Sequence, residues 1–429
     1  MGAEDHWRRG TLGDLARVRS GYAFKSSEWR QFGVPVVKIG NVKAGCLEMD
    51  GCSCVEPSTA EASGFVLRRG DILIGLTGYV GDTAIVRNEG PLVLNQRVGK
   101  AFPLPDADPL FIYFTMSSPS FRAAVEAASH GSAQANVSPF AIEGIPVLIP
   151  PTSEQRTIAN ILGALDNKIE LSRRTAMTLE SIAKAMFKSW LVDFDPACIK
   201  ARGLAPSGMD AATARLFPNE FEPSELGDIP KGWNLLPLDE IAEFKNGLPM
   251  QRFRPSEGEP RLPTVKIAQL RTGEPDSGEW ARADIDPAFV VQDGDVIFSW
   301  SGSLTVAVWC GGRAALNQHL FRVTSGAFPK WFYLQWLLVH LPEFQRIAGD
   351  KATTMGHIQR HHLSSAMCVV PPEELTTALS SLFMPILDSI ISLNLQIRSL
   401  KKTRDALLPR LLSGEIDVSD AERFAGAAL

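Results

Sequence analysis

This chain is written twice, and that constrains its fold more than any other feature. The second half repeats the first at an offset of about 220 residues, drifting by a few through loop insertions. Residues 12–21 (LGDLARVRSG) match residues 238–247 (LDEIAEFKNG), and both read as a short amphipathic helix stopped by glycine. Val37-Lys38-Ile39 matches Val265-Lys266-Ile267, and residues 65–74 (FVLRRGDILI) match residues 289–298 (FVVQDGDVIF). These are β-branched, alternating or buried-strand patterns broken by Gly-Asp turns, so each copy should be β-rich. Leu94-Asn95-Gln96 recurs as Leu316-Asn317-Gln318. At roughly 100 to 200 residues per domain, two cores are expected.

Each copy closes on a double proline, Pro150-Pro151 or Pro371-Pro372, and a long helical pattern follows. Proline disfavours helix before itself and suits a helix start after itself. In the first helix Thr152 and Gln155 read as a capping box. Its apolar seam is Ile158, Leu162, Leu165, Ile169, Ala176, Leu179, Ala183, Met186 and Trp190. The second seam is Leu379, Phe383, Ile386, Ile390, Leu393, Ile397, Leu400, Leu407 and Leu411. Both are coiled-coil heptads, each about 35 to 40 residues and roughly 50 to 60 Å long. A single such stripe would ordinarily be a core-facing helix, but two matched stripes make each other's nearest partner. Pro385 should kink or restart the second helix.

The expected fold is α+β: two similar β-rich domains separated by two long antiparallel coiled-coil helices, a pseudo-two-fold internal repeat. The divisions fall at 1–151 for the first domain, 152–196 for the central helix and 197–226 for an Ala- and Pro-rich linker. The second domain follows at 227–371, the C-terminal helix at 372–416 and a tail at 417–429.

Composition narrows the function. A net charge of -5 disfavours a non-specific nucleic-acid coat protein. The two copies are matched in charge, with 14 basic and 15 acidic residues in 1–151 and again in 227–371. No run of apolar residues reaches membrane-span length and the start lacks a signal-peptide pattern, so a cytoplasmic location is expected. Six cysteines do not form a disulfide framework, and the cluster Cys46, Cys52, Cys54 matches no zinc spacing. There is no phosphate-binding loop and no glycine-rich dinucleotide turn. His357, His361 and His362 include a helical metal spacing without an acidic partner motif, which a polar turn explains more simply. Asp193, Asp195 and Lys200 could be forced into a nuclease reading, but paired surface carboxylates are common. Asp71 and Asp295 read as turn-forming residues, not catalysts.

Residues 187–196 (FKSWLVDFDP), residues 227–233 (GDIPKGW) and the closing residues 407–416 (LLPRLLSGEI) resemble signature segments of type I restriction-modification specificity subunits. The resemblance covers essentially the whole chain. It implies a non-catalytic DNA-binding subunit holding no cofactor, in which each recognition domain reads one half of a bipartite, asymmetric double-stranded target. The implied partners are two modification subunits, which bind S-adenosylmethionine and methylate adenine, and two motor-nuclease restriction subunits, which need ATP and magnesium. Candidate DNA-binding residues are Lys25, Ser27, Arg30, Lys38, Ser132, Gln134 and Asn136 in the first copy. In the second they are Gln251, Arg252, Arg254, Lys266, Lys351, Thr353, Thr354, Gln359 and Arg360. These residue types reach base edges and phosphates, though each taken singly is ordinary solvated surface. Phe187, Trp190, Leu407 and Leu411, expected to be exposed near the helix ends, are candidates for docking the modification subunits. A coiled-coil scaffold that never touches DNA is the alternative from another class.

Overall fold

The computed structural model describes residues 7–88, 90–130, 135–350 and 356–428. The chain divides into two compact units: unit 1 is Met1–Ile169 with Ser399–Leu429, and unit 2 is Glu170–Arg398. The two long helices, α1 (Thr152–Phe187) and α2 (Glu373–Leu412), each contribute to both units. The compact units therefore cut through the helices instead of ending at the double prolines, because each stretch of seam is buried together with the copy beside it.

In unit 1 an antiparallel four-stranded sheet runs in the order Ala16–Ser20, Val98–Pro103, Ile72–Gly75, Thr83–Ile85. A second sheet has the order Cys54–Val55, Val34–Val37, Leu92–Leu94, Val66–Leu67, with Val34–Val37 and Leu92–Leu94 parallel. Arg8–Thr11 pairs with Pro146–Ile149. The apolar faces of these strands form the core, with Val37, Leu73, Leu94 and Val98 wholly buried.

Unit 2 repeats these three sheets in the same strand order, while the hairpin of Val42–Lys43 with Cys46–Leu47 in unit 1 has no counterpart among its described strands. Its first sheet runs Glu243–Asn246, Leu320–Thr324, Val296–Ser299, Val306–Val308, and its second Asp276–Arg282, Arg261–Val265, Ala314–Leu316, Val290–Val291. Asn234–Pro237 pairs with Met367–Val370. The chief difference is an edge strand of seven residues, Asp276–Arg282, where unit 1 has only Cys54–Val55.

The helix expected over 12–21 and 238–247 is mostly strand. A single turn, Leu12–Asp14 or Leu238–Ile241, leads directly into Ala16–Ser20 or Glu243–Asn246. Buried Ala16 and Val18 alternate with exposed Arg17 and Arg19 at the period of a strand, and sheet pairing outweighs the weak helical pattern. The glycine after each strand does not stop a helix. A Cβ on Gly21 would lie 2.5 Å from the Leu94 carbonyl oxygen, and one on Gly247 2.3 Å from that of Leu316. Close backbone approach is what requires glycine at both positions.

In unit 1 the first part of α1 buries Ile158, Leu162, Leu165 and Ile169 together with Leu400, Leu407 and Leu411 of α2. In unit 2 the remainder of α1 buries Ala176, Ala183 and Phe187, and the start of α2 buries Leu379, Phe383 and Leu387. Ser172 Oγ donates to Gln396 Oε1 at 3.0 Å there. Early α1 with late α2, and late α1 with early α2, is the order that antiparallel pairing demands. By length and composition alone α2 is apolar enough to cross a membrane. Seven of its nine seam residues, however, are buried within the two units and Ile386 and Leu393 are half-buried, which is how a coiled-coil helix uses such a stripe.

Two details of the helices differ from expectation. Helix α2 continues through Pro385 without a restart. No capping box forms at Thr152: its hydroxyl donates to Asp106 O at 2.9 Å, and Gln155 bridges Pro150 O and the Asp108 N–H. These side chains tie the preceding loop to the helix start. The expected linker is also ordered, with Asp195–Ala201, Ala211–Leu216 and a hairpin of Phe221–Ser224 with Gly227–Pro230. Phe217 is buried against Trp233, a non-local contact that an aperiodic sequence does not advertise.

Candidate nucleic-acid interface

At one end of the four-stranded sheet of each unit, three chain segments are laced by the same backbone hydrogen bonds. In unit 1 the Leu76 N–H donates to Arg97 O at 3.1 Å, Val137 N to Leu76 O at 2.9 Å, and Gly78 N to Ala135 O at 2.8 Å. In unit 2 Trp300 N donates to His319 O at 3.4 Å, Ile358 N to Trp300 O at 3.0 Å, and Gly302 N to Gly356 O at 2.8 Å. The recurrent asparagine that opens the middle turn also plays one role in both. Asn95 Oδ1 accepts from the Arg97 N–H at 3.4 Å, and Asn317 Oδ1 from the His319 N–H at 3.2 Å. The recurrence of Asn95 and Asn317 is thus scaffold, while the side chains mounted on the scaffold differ.

In unit 1 this end presents Thr77, whose hydroxyl donates to Asn136 Oδ1 at 3.0 Å, and the exposed Arg97. In unit 2 it is aromatic. Trp300 lies 5.8 Å from the His319 ring, 6.0 Å from Phe321 and 6.4 Å from His357, and its indole N–H donates to Asn246 Oδ1 at 3.0 Å. His319 Nδ1 is 2.9 Å from Ser301 Oγ. Around Trp300 opens a cavity of about 340 Å³ whose lining includes Asn246, His357, Gln359 and Arg360.

Of the residues expected from sequence, Asn136, Gln359 and Arg360 come to this end of their units. Gln359 caps a short helix, where its N–H donates to His362 Nδ1 at 2.9 Å, which gives one of the clustered histidines a structural task. Lys25, Ser27, Arg30 and Lys38 form a separate group around Trp29. The Arg30 guanidinium is held by Glu56 at 3.0 Å and by Ser27 O at 2.7 Å. The Lys38 ammonium lies 4.1 Å from the centre of the Trp29 ring and donates to Ser53 Oγ at 2.8 Å. Lys266, its counterpart in unit 2, pairs with Glu279. Gln251 and Arg252 lie on the exposed turn Met250–Arg252, and Arg254 is exposed just beyond it. Ser132, Gln134, Lys351, Thr353 and Thr354 lie outside the described residues.

The expectation that Phe187, Trp190, Leu407 and Leu411 are exposed is corrected by the structure. Phe187 is wholly buried in unit 2, 5.3 Å from Trp336 and 6.4 Å from Phe383, with Trp190 beside Phe383. Leu407 and Leu411 are buried in unit 1. Large apolar side chains at a helix end found cores within their own units, which removes more apolar surface from water than leaving them exposed.

The carboxylates weighed for catalysis have structural partners. Asp71 accepts the Arg68 N–H at 2.8 Å and meets Lys100 at 2.6 Å, and Asp295 accepts the Gln292 N–H at 2.8 Å and meets Arg322 at 3.2 Å. Both therefore close a turn and pair with a cross-strand cation. Asp193 pairs with Lys188 and Asp195 accepts from Ser189 at 2.7 Å. Lys200 Nζ donates to the carbonyls of Ala214, Arg215 and Phe217, holding the end of a short helix. No metal-binding group of His, Cys, Asp or Glu occurs among the described residues.

Sequence reading missed Arg97, Trp300 and His319. The signal lay in the alignment of the copies: each follows, or pairs with a residue that follows, the recurrent Asn-Gln, where similarity between the halves stops.

Residues 4–181 match the family model described as the type I restriction modification DNA specificity domain. The MjaIX specificity subunit of Methanocaldococcus jannaschii is 25% identical over 377 residues, covering 85% of this chain and 82% of that protein. The HindI specificity subunit of Haemophilus influenzae is 23% identical, covering 64% and 70%. The crystal structure of a type I restriction-modification S subunit from M. genitalium covers 95% of this chain and 96% of its own, with a TM-score of 0.54 at 14% identity, a likeness of fold.

Proposed function

We propose that this chain, which is similar to type I restriction-modification DNA specificity subunits, reads double-stranded DNA and performs no chemistry of its own. The observation that carries this reading is the single backbone frame built twice with different side chains at the same end. One scaffold with two surfaces suits two different half-sites, hence an asymmetric bipartite target. The helices that both units share set the separation of the half-sites and dock two modification subunits, with two restriction subunits joining the full complex. A few specified base pairs per half suffice, since each mismatch costs about 1 to 3 kcal/mol.

The test is co-expression with a modification subunit, followed by sequencing of methylated adenines in the host DNA. A bipartite motif of which one half changes when residues 227–371 are exchanged is the expected result. A stable complex that methylates no defined motif would instead indicate a scaffold.

A further inference from the structure

We propose that half-site identity is decided at the paired frame positions Thr77/Ser301, Arg97/His319 and Asn136/His357, and that Arg97 is the guanine-reading side chain of unit 1. This rests on the reading that both units bind DNA, and it names where and how one of them discriminates.

The frame equates these positions without recourse to alignment. Arg97 O and His319 O accept from Leu76 N and Trp300 N, and the asparagine two residues before each braces its N–H. Equal backbone with unequal side chains is where two readers of different sequences must differ. At the Arg97 position unit 1 has an exposed guanidinium with no carboxylate partner among the described residues. Arg17, Arg30, Arg87 and Arg122 of the same unit each pair with an acid. A free, rigid fork of parallel N–H donors matches the O6 and N7 acceptors that guanine shows in the major groove. Unit 2 offers no such fork there: the His319 ring is held by Ser301 and Gln318 and packed on Trp300. Arg360, exposed at the same end of unit 2, stands at a different frame position, so the guanine read from the Arg97 position should belong to the first half of the target.

The full chain, co-expressed with a modification subunit, is compared as wild type, Arg97→Ala and Arg97→Lys by adenine methylation mapping and by binding to duplexes varied at one base pair. Arg97→Ala should lower discrimination at one guanine by about 5- to 150-fold, with the other half and the spacing unchanged. Arg97→Lys keeps the charge without the fork and should restore binding but not the guanine preference. Because Arg97 is exposed, melting temperatures of the three proteins should agree. Uniform weakening on all sequences, rescued by lysine, would mean a phosphate contact and overturn the proposal. An unaltered motif would overturn it while leaving the DNA-reading function intact. Absence of any motif in the wild-type complex would remove both.

Discussion

Asp166 is the residue whose loss should reveal most about how unit 1 is held together. Its carboxylate receives Arg87 at 2.7 Å on one oxygen and Arg404 at 2.7 Å on the other, joining the sheet domain, α1 and α2 within that unit. The Asp166 side chain is 7% exposed and each arginine 24%, so water can replace little of what the carboxylate supplies. Arg404 keeps Asp405 at 2.8 Å, whereas Arg87 has Asp166 alone as its ion-pair partner among the described residues. Asp166→Asn should thus strand the largely buried Arg87, leave Arg404 with Asp405 alone, and cost about 3 to 5 kcal/mol in denaturant unfolding of unit 1. Replacing all three charges together, with Asp166→Leu, Arg87→Met and Arg404→Met, should be neutral or stabilising by up to about 4 kcal/mol, because no ion then has to be desolvated. A second readout is the neighbouring Tyr113, held up at about 12 by burial and then by the Asp166 charge. Asp166→Asn should bring its phenol titration, followed by ultraviolet absorbance, to lower pH. A cost below about 1 kcal/mol for Asp166→Asn, the range of an exposed pair, would refute the argument.

Three other outcomes follow from the same geometry. His340, stacked on Trp336 and half-buried, has its pKa lowered from the ordinary 6.5 chiefly by desolvation, so the unfolded chain takes up the proton first. Stability from this group should be complete above about pH 6.5 and fall below it by at most about 1.4 kcal/mol per pH unit, and His340→Leu should flatten that part of a melting-temperature profile. Lys200→Met removes the donor to three carbonyls and should raise amide exchange across residues 195–217 while sparing the sheets of unit 2. Gly21→Ala forces a Cβ onto the Leu94 carbonyl and should cost about 1 to 3 kcal/mol, which a melting curve would show, whereas Gly64→Ala meets no neighbouring atom and tests only the cost of its left-handed backbone.

What was legible in the sequence is what repeats or what has a period. The duplication named two units of one topology, and the heptads named two long helices: Leu162, Leu165, Leu379 and Leu400 are all wholly buried. The Gly-Asp turns declared Asp71 and Asp295 as turn formers, and both close their turns as expected. These signals are local, because pleat, helical pitch and turn geometry act over a few residues.

Only the tertiary structure decided where the units divide, that Phe187 and Trp190 lie inside a core and not on a docking surface, and that Arg30 is spent on Glu56 while Arg97 stays free. Burial and pairing depend on residues far away in the chain, and neither hydropathy nor charge says which distant partner a side chain will meet. The repeated asparagine of Leu-Asn-Gln, whose recurrence suggested scaffold, is a brace. What it braces, the unlike side chains of Arg97 and His319, emerged when the two backbones were seen to coincide while their surfaces did not.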